Sequence, residues 1–422
     1  MLHKHTKALP VILMTILIDL IGIGILIPVM PQLLTNPDSP AYLLSAGMTI
    51  DQSYVIFGAL IAAYPLAQFF ASPILGQLSD RFGRRPILLY SIFGTAIGYA
   101  LFAVAIMTRN IPLLFFSRIL PGITGGNLPV AQAAIADIST PNDRTKNFGY
   151  MGAAFGLGFI IGPYIGGQMA DPSVLSWFGP TVPFWFAALL ALINMTLLWL
   201  FLPETSPRQA KERVHVSQAL RHIVKAFTHE RLRALFFITF LFQGGFGFFT
   251  TFFGVYLIDR YGFTESATGN FFAYVGMWIV LTQAIVTPRA SRLWSERRIL
   301  NVTLIATGLA LLLFLWPGAW TTMLWTTPIF ALFNGVTQAN MMAFLSRSAG
   351  ADVQGEILGI NSSVTALSQS LPPILSGFIA AQTSPTATIY VASVIMVIAG
   401  MLFIVFVRRE PTRGVGEASI AH

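Results

Sequence analysis

The sequence predicts an all-α membrane protein, with twelve transmembrane helices in two pseudo-symmetric halves of six. Three observations carry this expectation. The 422 residues are 55% hydrophobic and only 10% charged, where a soluble domain carries about 25% charged residues. The apolar residues gather in twelve runs, each near the roughly 20 residues that a bilayer crossing needs. The basic residues collect in alternate connections between those runs. Such a chain cannot hide its apolar surface from water, so the bilayer is its solvent.

The first half, 1–202, holds runs at 9–34, 53–75, 86–107, 111–136, 147–169 and 181–202. Run 1 has no small-residue cleavage site and continues through Pro28 and Pro31, so it reads as a retained helix. The polar stretch 203–231 is the one clear organisational break. Within it, Val216, Leu220, Ile223, Val224 and Phe227 recur at helical spacing among basic and polar residues. This predicts an amphipathic helix over 216–230, lying on the membrane face. His215, His222 and His229 are seven apart and read as a solvated side. The second half, 232–408, holds runs at 232–258, 267–288, 299–317, 320–345, 355–381 and 386–407, and a tail of 409–422 follows.

Place both termini and the 203–231 segment on one side, and that side collects 22 of the 25 Lys and Arg. The opposite loops hold Arg109 and Arg260, and Arg118 lies inside a run. The bias of basic residues predicts that the 22-residue side is cytoplasmic, in a cell (inner) membrane. The net charge of +8 is then explained by insertion and anionic lipid. It calls for no nucleic-acid partner. The bilayer, a small-molecule substrate and a monomeric state are the expectations.

The absence of cysteine excludes disulfides, thiolate metal sites and cysteine catalysis. The histidines lie at the termini or in the polar stretch, away from the runs. No Ser/His/Asp set, phosphate-cradling loop or metal cluster stands in the chain, and its polar segments are too short for a soluble catalytic domain. The expectation is a non-enzyme without metal or cofactor.

Charges inside the runs are therefore the informative residues. Asp19 stands in an apolar stretch that carries no other charge, where a carboxylate costs about 2.5–3.5 kcal/mol on insertion scales. Arg118 lies seven residues into run 4. On a 1.5 Å rise, Asp19 is about 15 Å and Arg118 about 10 Å deep from opposite ends. The second half offers neutral groups instead: Gln243, Asn334, Gln338, Asn361 and Gln369. With Tyr64 and Gln68 of run 2, these are the candidates for contacting a cargo. Burial and a nearby arginine act on a carboxyl in opposite senses, so Asp19 and Arg118 read either as a proton-coupling pair or as a fixed ion pair.

The connection between runs 2 and 3 carries a dense motif, Gly76-Gln-Leu-Ser-Asp80-Arg81-Phe-Gly83-Arg84-Arg85-Pro86. Its glycines permit a tight turn. Asp80 suits the positive end of a nearby helix, and Arg84 suits Asp137 at the end of run 4. A latch of this kind breaks and reforms as halves rock. Run 4 carries Arg118-Ile-Leu-Pro-Gly122-Ile-Thr-Gly125-Gly126. Run 5 carries Gly152, Gly156, Gly158, Gly162, Pro163, Gly166 and Gly167, whose glycines allow close helix packing. Arg289-Ala-Ser-Arg292-Leu-Trp294-Ser-Glu296-Arg297 is a worn counterpart of the 2–3 connection.

These three motifs resemble motifs A, B and C of the major facilitator superfamily, the third associated with its drug:proton antiporter branch. Asp19-x-x-Gly22-x-Gly24-x-x-x-Pro28-x-x-Pro31, Tyr64-x-x-x-Gln68, Ala136-Asp137-Ile138 and Trp294-x-Glu296-Arg297 resemble the tetracycline-exporter-like group. The resemblance implies alternating access, a proton as coupling ion, and functional importance for Asp19, Gln68 and Arg118. That group commonly has an acid in run 3, a histidine in run 8 and an acid in run 9. Here those places hold Ile97-Gly98-Tyr99, Ile279 and Thr307. The likeness thus implies proton-linked export without implying tetracycline as the cargo. A dedicated carrier of a siderophore, sugar derivative or amino acid fits the same residues.

Overall fold

A computed structural model describes residues 8–45, 47–125, 127–139, 143–206, 217–229, 232–348 and 354–407. The basic residues near both ends, the tail 409–422, His215 and Gly126 lie outside them. The described residues form helices and no strand. Twelve spans follow the expected order. In the first half these are span 1 (Ala8–Leu34), span 2 (Ile50–Phe82), span 3 (Arg84–Met107), span 4 in two pieces (Ile111–Thr124 and Asn127–Ile138), span 5 (Arg144–Ala170) and span 6 (Val182–Phe201). After a linker helix (Gln218–Thr228) come span 7 (Arg233–Tyr261), span 8 (Glu265–Leu281, continued through Thr287–Leu293), span 9 (Glu296–Leu312), span 10 (Trp320–Ser348), span 11 (Gln354–Gln382) and span 12 (Pro385–Phe406). Among the described residues, nine helices are long and apolar enough to cross a membrane. Spans 4, 9 and 10 complete the twelve by their place in the order.

Span 2 runs seven residues past the expected end at 75, because Gln77, Ser79 and Arg81 continue the helix until Gly83 stops it at φ 104°. Two spans are irregular, and proline explains both. Pro129 has no N–H to give the carbonyl of Gly125, and span 4 is interrupted there. Pro288 has none for the carbonyl of residue 284, and Thr282–Val286 widens into a π-turn. Gly335 of span 10 fits against Thr282 at that turn, where a Cβ would come within 3.0 Å.

The halves meet through span 2 on span 11 and span 5 on span 8. Both crossings rest on glycine. A Cβ on Gly58 would come 2.3 Å from the Pro373 carbonyl, and one on Gly167 2.4 Å from the Glu265 carbonyl and 3.0 Å from Gly269 Cα. Motif C wedges span 5 between spans 1 and 8: Gly162 lies on Ile21 and Gly24, Gly166 on Ile25, Gly156 on Val280, and the Pro163 carbonyl on Gly269. Gly152 departs from the expected packing role. A Cβ added there would meet no packed neighbour within 4 Å, and the same holds for Gly76 and Gly149. All three lie toward the linker end of the molecule.

At the opposite end the halves are sealed. Gln32 Nε2 donates to the Phe263 carbonyl at 2.7 Å, Ser266 Oγ to Asp171 Oδ2 at 2.6 Å, and Gln168 Nε2 to Asn270 Oδ1 at 3.0 Å. Phe252 meets Tyr54 and Phe57 edge-on. Burial pushes the Asp171 carboxyl up, but hydrogen bonds from Ser173, Ser266 and Thr264 outweigh it and hold it at about 2 against an ordinary 3.8. A depressed carboxyl contributes its stability fully above the ordinary value and loses it as pH falls through about 2. The Asp171 contact is therefore intact at pH 7 and at pH 5. Labels at Val174 and Arg260, on the two sides of the seal, should report a wider separation for Asp171→Asn than for the natural chain. The difference should be the same at both pH values.

The linker helix is shorter than expected and departs from the solvated reading of its histidines. His222 Nδ1 lies 3.1 Å from Ser363 Oγ of span 11, and Ala226 is fully buried. Three sides result. His222, Ile223 and Ala226 face the protein, Leu220, Val224 and Phe227 are exposed and apolar, and Arg221 and Lys225 are exposed and basic. Phe227 stacks edge-on against Phe237 of span 7, itself exposed.

Candidate functional site

Asp19 and Arg118 come together. With Ile23, Tyr64, Thr95, Tyr99 and Pro121 they line a small cavity of about 10 Å³ inside the first half, room for a single water. Asp19 projects from the middle of span 1. Arg118 projects from the outer piece of span 4 and is 8% exposed. Its guanidinium carbon lies 4.8 Å from the centre of the Tyr64 ring, a cation–π contact worth about 2 kcal/mol when desolvated. Its buried Nε has no hydrogen-bond partner. The cavity thus joins one acid, one guanidinium and two phenols from four spans.

Gln68 also has a structural partner in span 4. Its Nε2 donates to the Gly125 carbonyl at 2.8 Å and to Tyr64 Oη at 3.3 Å. The first bond replaces the one that Pro129 cannot make, so Gln68 closes the interruption in span 4. Gln68→Ala should leave a buried carbonyl unsatisfied, at about 1–3 kcal/mol. Its thermal midpoint should fall, and Gln68→Glu, which has no N–H to donate when ionised, should fall with it.

Of the second-half candidates, Asn334 and Gln338 adjoin each other. Asn334 is fully buried with its Nδ2 unpartnered, and Gln338 Nε2 reaches its Oδ1 at 3.4 Å. Asn334 is therefore an interior group in this state rather than a cavity wall. Asn361 Nδ2 lies 3.9 Å from Met342 Sδ, Gln243 is half-buried, and Gln369 is exposed. Thr307 is buried and bonded to the hydroxyl of Thr337.

Motif A forms a charged cluster at the linker end. Arg84 reaches Asp80 at 2.6 Å, Asp137 Oδ2 at 3.0 Å and Ser79 Oγ at 2.6 Å. Asp80 thus pairs with Arg84 across the turn, at the end of its own helix. Gly83 serves two needs: its φ of 104° suits glycine, and a Cβ there would come 2.3 Å from Glu204 Oε2. Glu204 accepts the backbone N–H of Arg84 at 2.7 Å and of Arg85 at 3.3 Å, so it caps the start of span 3. Arg85 bonds the carbonyl of Trp199, and Arg81 lies over the Phe82 ring. The second half repeats the latch with its charges exchanged. Glu296, the first residue of span 9, pairs with Arg347 in the last turn of span 10.

Sequence reasoning missed Tyr99, Glu204 and the pairing of Glu296 with Arg347. The last was open to it, because Glu296 and Arg347 occupy the places of Arg84 and Asp137 in the other half. A vestibule of about 640 Å³, bordered by Asp38, Asp171 and Glu265, lies at the sealed end and is separate from the Asp19 cavity.

The sequence model described as Major Facilitator Superfamily matches residues 12–373, with a further match over 291–421. The chain is 33% identical to tetracycline resistance protein, class C, from Escherichia coli, over 91% of this chain and 92% of that one. It is 28% identical to multidrug resistance protein 2 from Bacillus subtilis (strain 168), over 87% and 88% of the two chains. The crystal structure of a D-xylose-proton symporter superposes with a TM-score of 0.74 at 14% identity, covering 94% of this chain and 96% of that one. That likeness is one of fold.

Proposed function

We propose that this chain, which belongs to the major facilitator superfamily, is a proton-coupled exporter of amphipathic small molecules that works by alternating access. It is a multi-pass membrane transporter, and the proposal concerns its cargo, direction and energy source. The observation that carries it is the cavity joining Asp19 to Arg118, Tyr64 and Tyr99 in the middle of the first half. A half-buried carboxyl and a buried guanidinium on one small cavity form a unit whose proton occupancy responds to its surroundings. The seal at one end supports a carrier open toward the other, the end that the basic residues support as cytoplasmic. The placement of basic residues supports the same orientation, with both termini cytoplasmic in the inner membrane. The names of the relatives, tetracycline resistance and multidrug resistance, support a drug-like cargo. Nothing in the architecture calls for a second copy, and we read the carrier as a monomer.

A panel of amphipathic drugs, siderophores, sugars and amino acids tests the cargo. Everted membrane vesicles energised to an acid interior should accumulate drugs from the panel, and a protonophore should collapse the accumulation. Accumulation of metabolites alone, or drug accumulation indifferent to the protonophore, would overturn the reading.

A further inference from the structure

The ring of Tyr99 packs in the apolar core of the first half, while its hydroxyl is carried to the cavity that Asp19 and Arg118 line. Its hydroxyl lies against the backbone of Gly22: a Cβ on Gly22 would come 2.1 Å from Tyr99 Oη and 2.7 Å from its Cζ. Asp19, Gly22 and Ile23 stand at i, i+3 and i+4, so they share one face of span 1. The phenol is therefore delivered to the face that carries the acid. The approach is built from the other side as well. Span 3 lies so close to span 4 that a Cβ on Gly94 would come 2.2 Å from Thr124 Oγ1, and one on Gly98 2.7 Å from Pro121. Gly22 thus admits the Tyr99 hydroxyl at span 1, while Gly94 and Gly98 bring span 3 close to span 4. Tyr99 is 8% exposed and lines the same small cavity as Asp19 and Arg118.

We propose that Tyr99 is a positioning residue that orients Asp19 and Arg118 about their shared cavity and sets the pH at which the carrier turns over. The inference rests on the proton-coupling role proposed for Asp19. The titratable and charged groups around that cavity are Asp19 from span 1, Tyr64 from span 2, Tyr99 from span 3 and Arg118 from span 4. A phenol can donate a hydrogen bond to a carboxylate, and such a donor favours the charged form. With the hydroxyl removed, the carboxyl gives up its proton only at higher pH. The step moves one proton between Asp19 and water, with no other bond made or broken.

The test is the pH profile of drug-driven transport in proteoliposomes. Tyr99→Phe keeps the ring and removes the hydroxyl, so it should fold. Its half-maximal pH should move upward, by about threefold or more in proton concentration. Gly22→Ala pushes the same hydroxyl off its seat and should move the profile too. A merely structural Tyr99 would lower the amount of active carrier and leave the half-maximal pH where it was, and that result overturns the inference. Asp19→Asn run in parallel separates the two levels. If Asp19→Asn abolishes proton coupling while Tyr99→Phe leaves the profile unmoved, the role of Tyr99 falls alone. If Asp19→Asn leaves proton coupling intact, the reading of the site falls and the inference with it.

Discussion

Asp19→Asn is expected to abolish proton-driven accumulation in everted vesicles while leaving a folded carrier in the membrane. Asparagine keeps the shape and one acceptor oxygen, offers a donor where a protonated carboxyl would, and cannot exchange a proton. Asp19 is the one acid in the middle of a first-half span, so no neighbour can take over its proton. A carboxyl inside a bilayer span is costly, about 2.5–3.5 kcal/mol on insertion scales, and the neutral amide carries less of that penalty. The thermal midpoint should therefore hold or rise as transport is lost. Downhill exchange of cargo, which needs no net proton movement, should persist. Unchanged pH-driven accumulation would rule out the role given to Asp19.

Arg84→Ala should slow turnover about tenfold or more and leave cargo affinity nearly unchanged. Arg84 holds Asp80 and Asp137 together, with Ser79 as a third partner. Charged hydrogen bonds of this kind are worth about 1.5–3 kcal/mol each, and about 1.4 kcal/mol is a factor of ten in rate. The cluster lies at the linker end, apart from the cavity around Asp19, so its loss alters exchange between states rather than binding. Glu296→Gln, which breaks the exchanged latch of the second half, should act in the same direction. Kinetic and equilibrium binding measurements on the same preparations check this. Lost binding with an unchanged conformational cycle would contradict it.

Much of the architecture was legible because the bilayer leaves few choices. A chain whose apolar runs are long enough to cross a bilayer must satisfy its backbone within each run, and so makes helices. The site was legible where a charge had no solvent excuse, as at Asp19 and Arg118. It was not legible where the decisive group looked ordinary. Tyr99 reads as one more aromatic in an apolar run, and only the close approach of its hydroxyl to Gly22 and its place beside Asp19 set it apart. Gln68 looked like a cargo contact, because a polar group in a span invites that reading. Its bond to the Gly125 carbonyl follows from Pro129, four residues on, but only once spans 2 and 4 are known to touch. Glu204 lay at the start of the linker, ahead of its periodic stretch, and its capping of span 3 is a long-range contact.

Proton release on cargo binding tests the central claim most directly. Purified carrier in weakly buffered detergent solution, mixed with a drug it transports, should release protons in proportion to the protein present. The release should fade at pH values where Asp19 has already lost its proton, and it should be absent from Asp19→Asn at every pH. Cargo binding to the natural chain with no change in proton content, or an equal release from Asp19→Asn, would contradict the account.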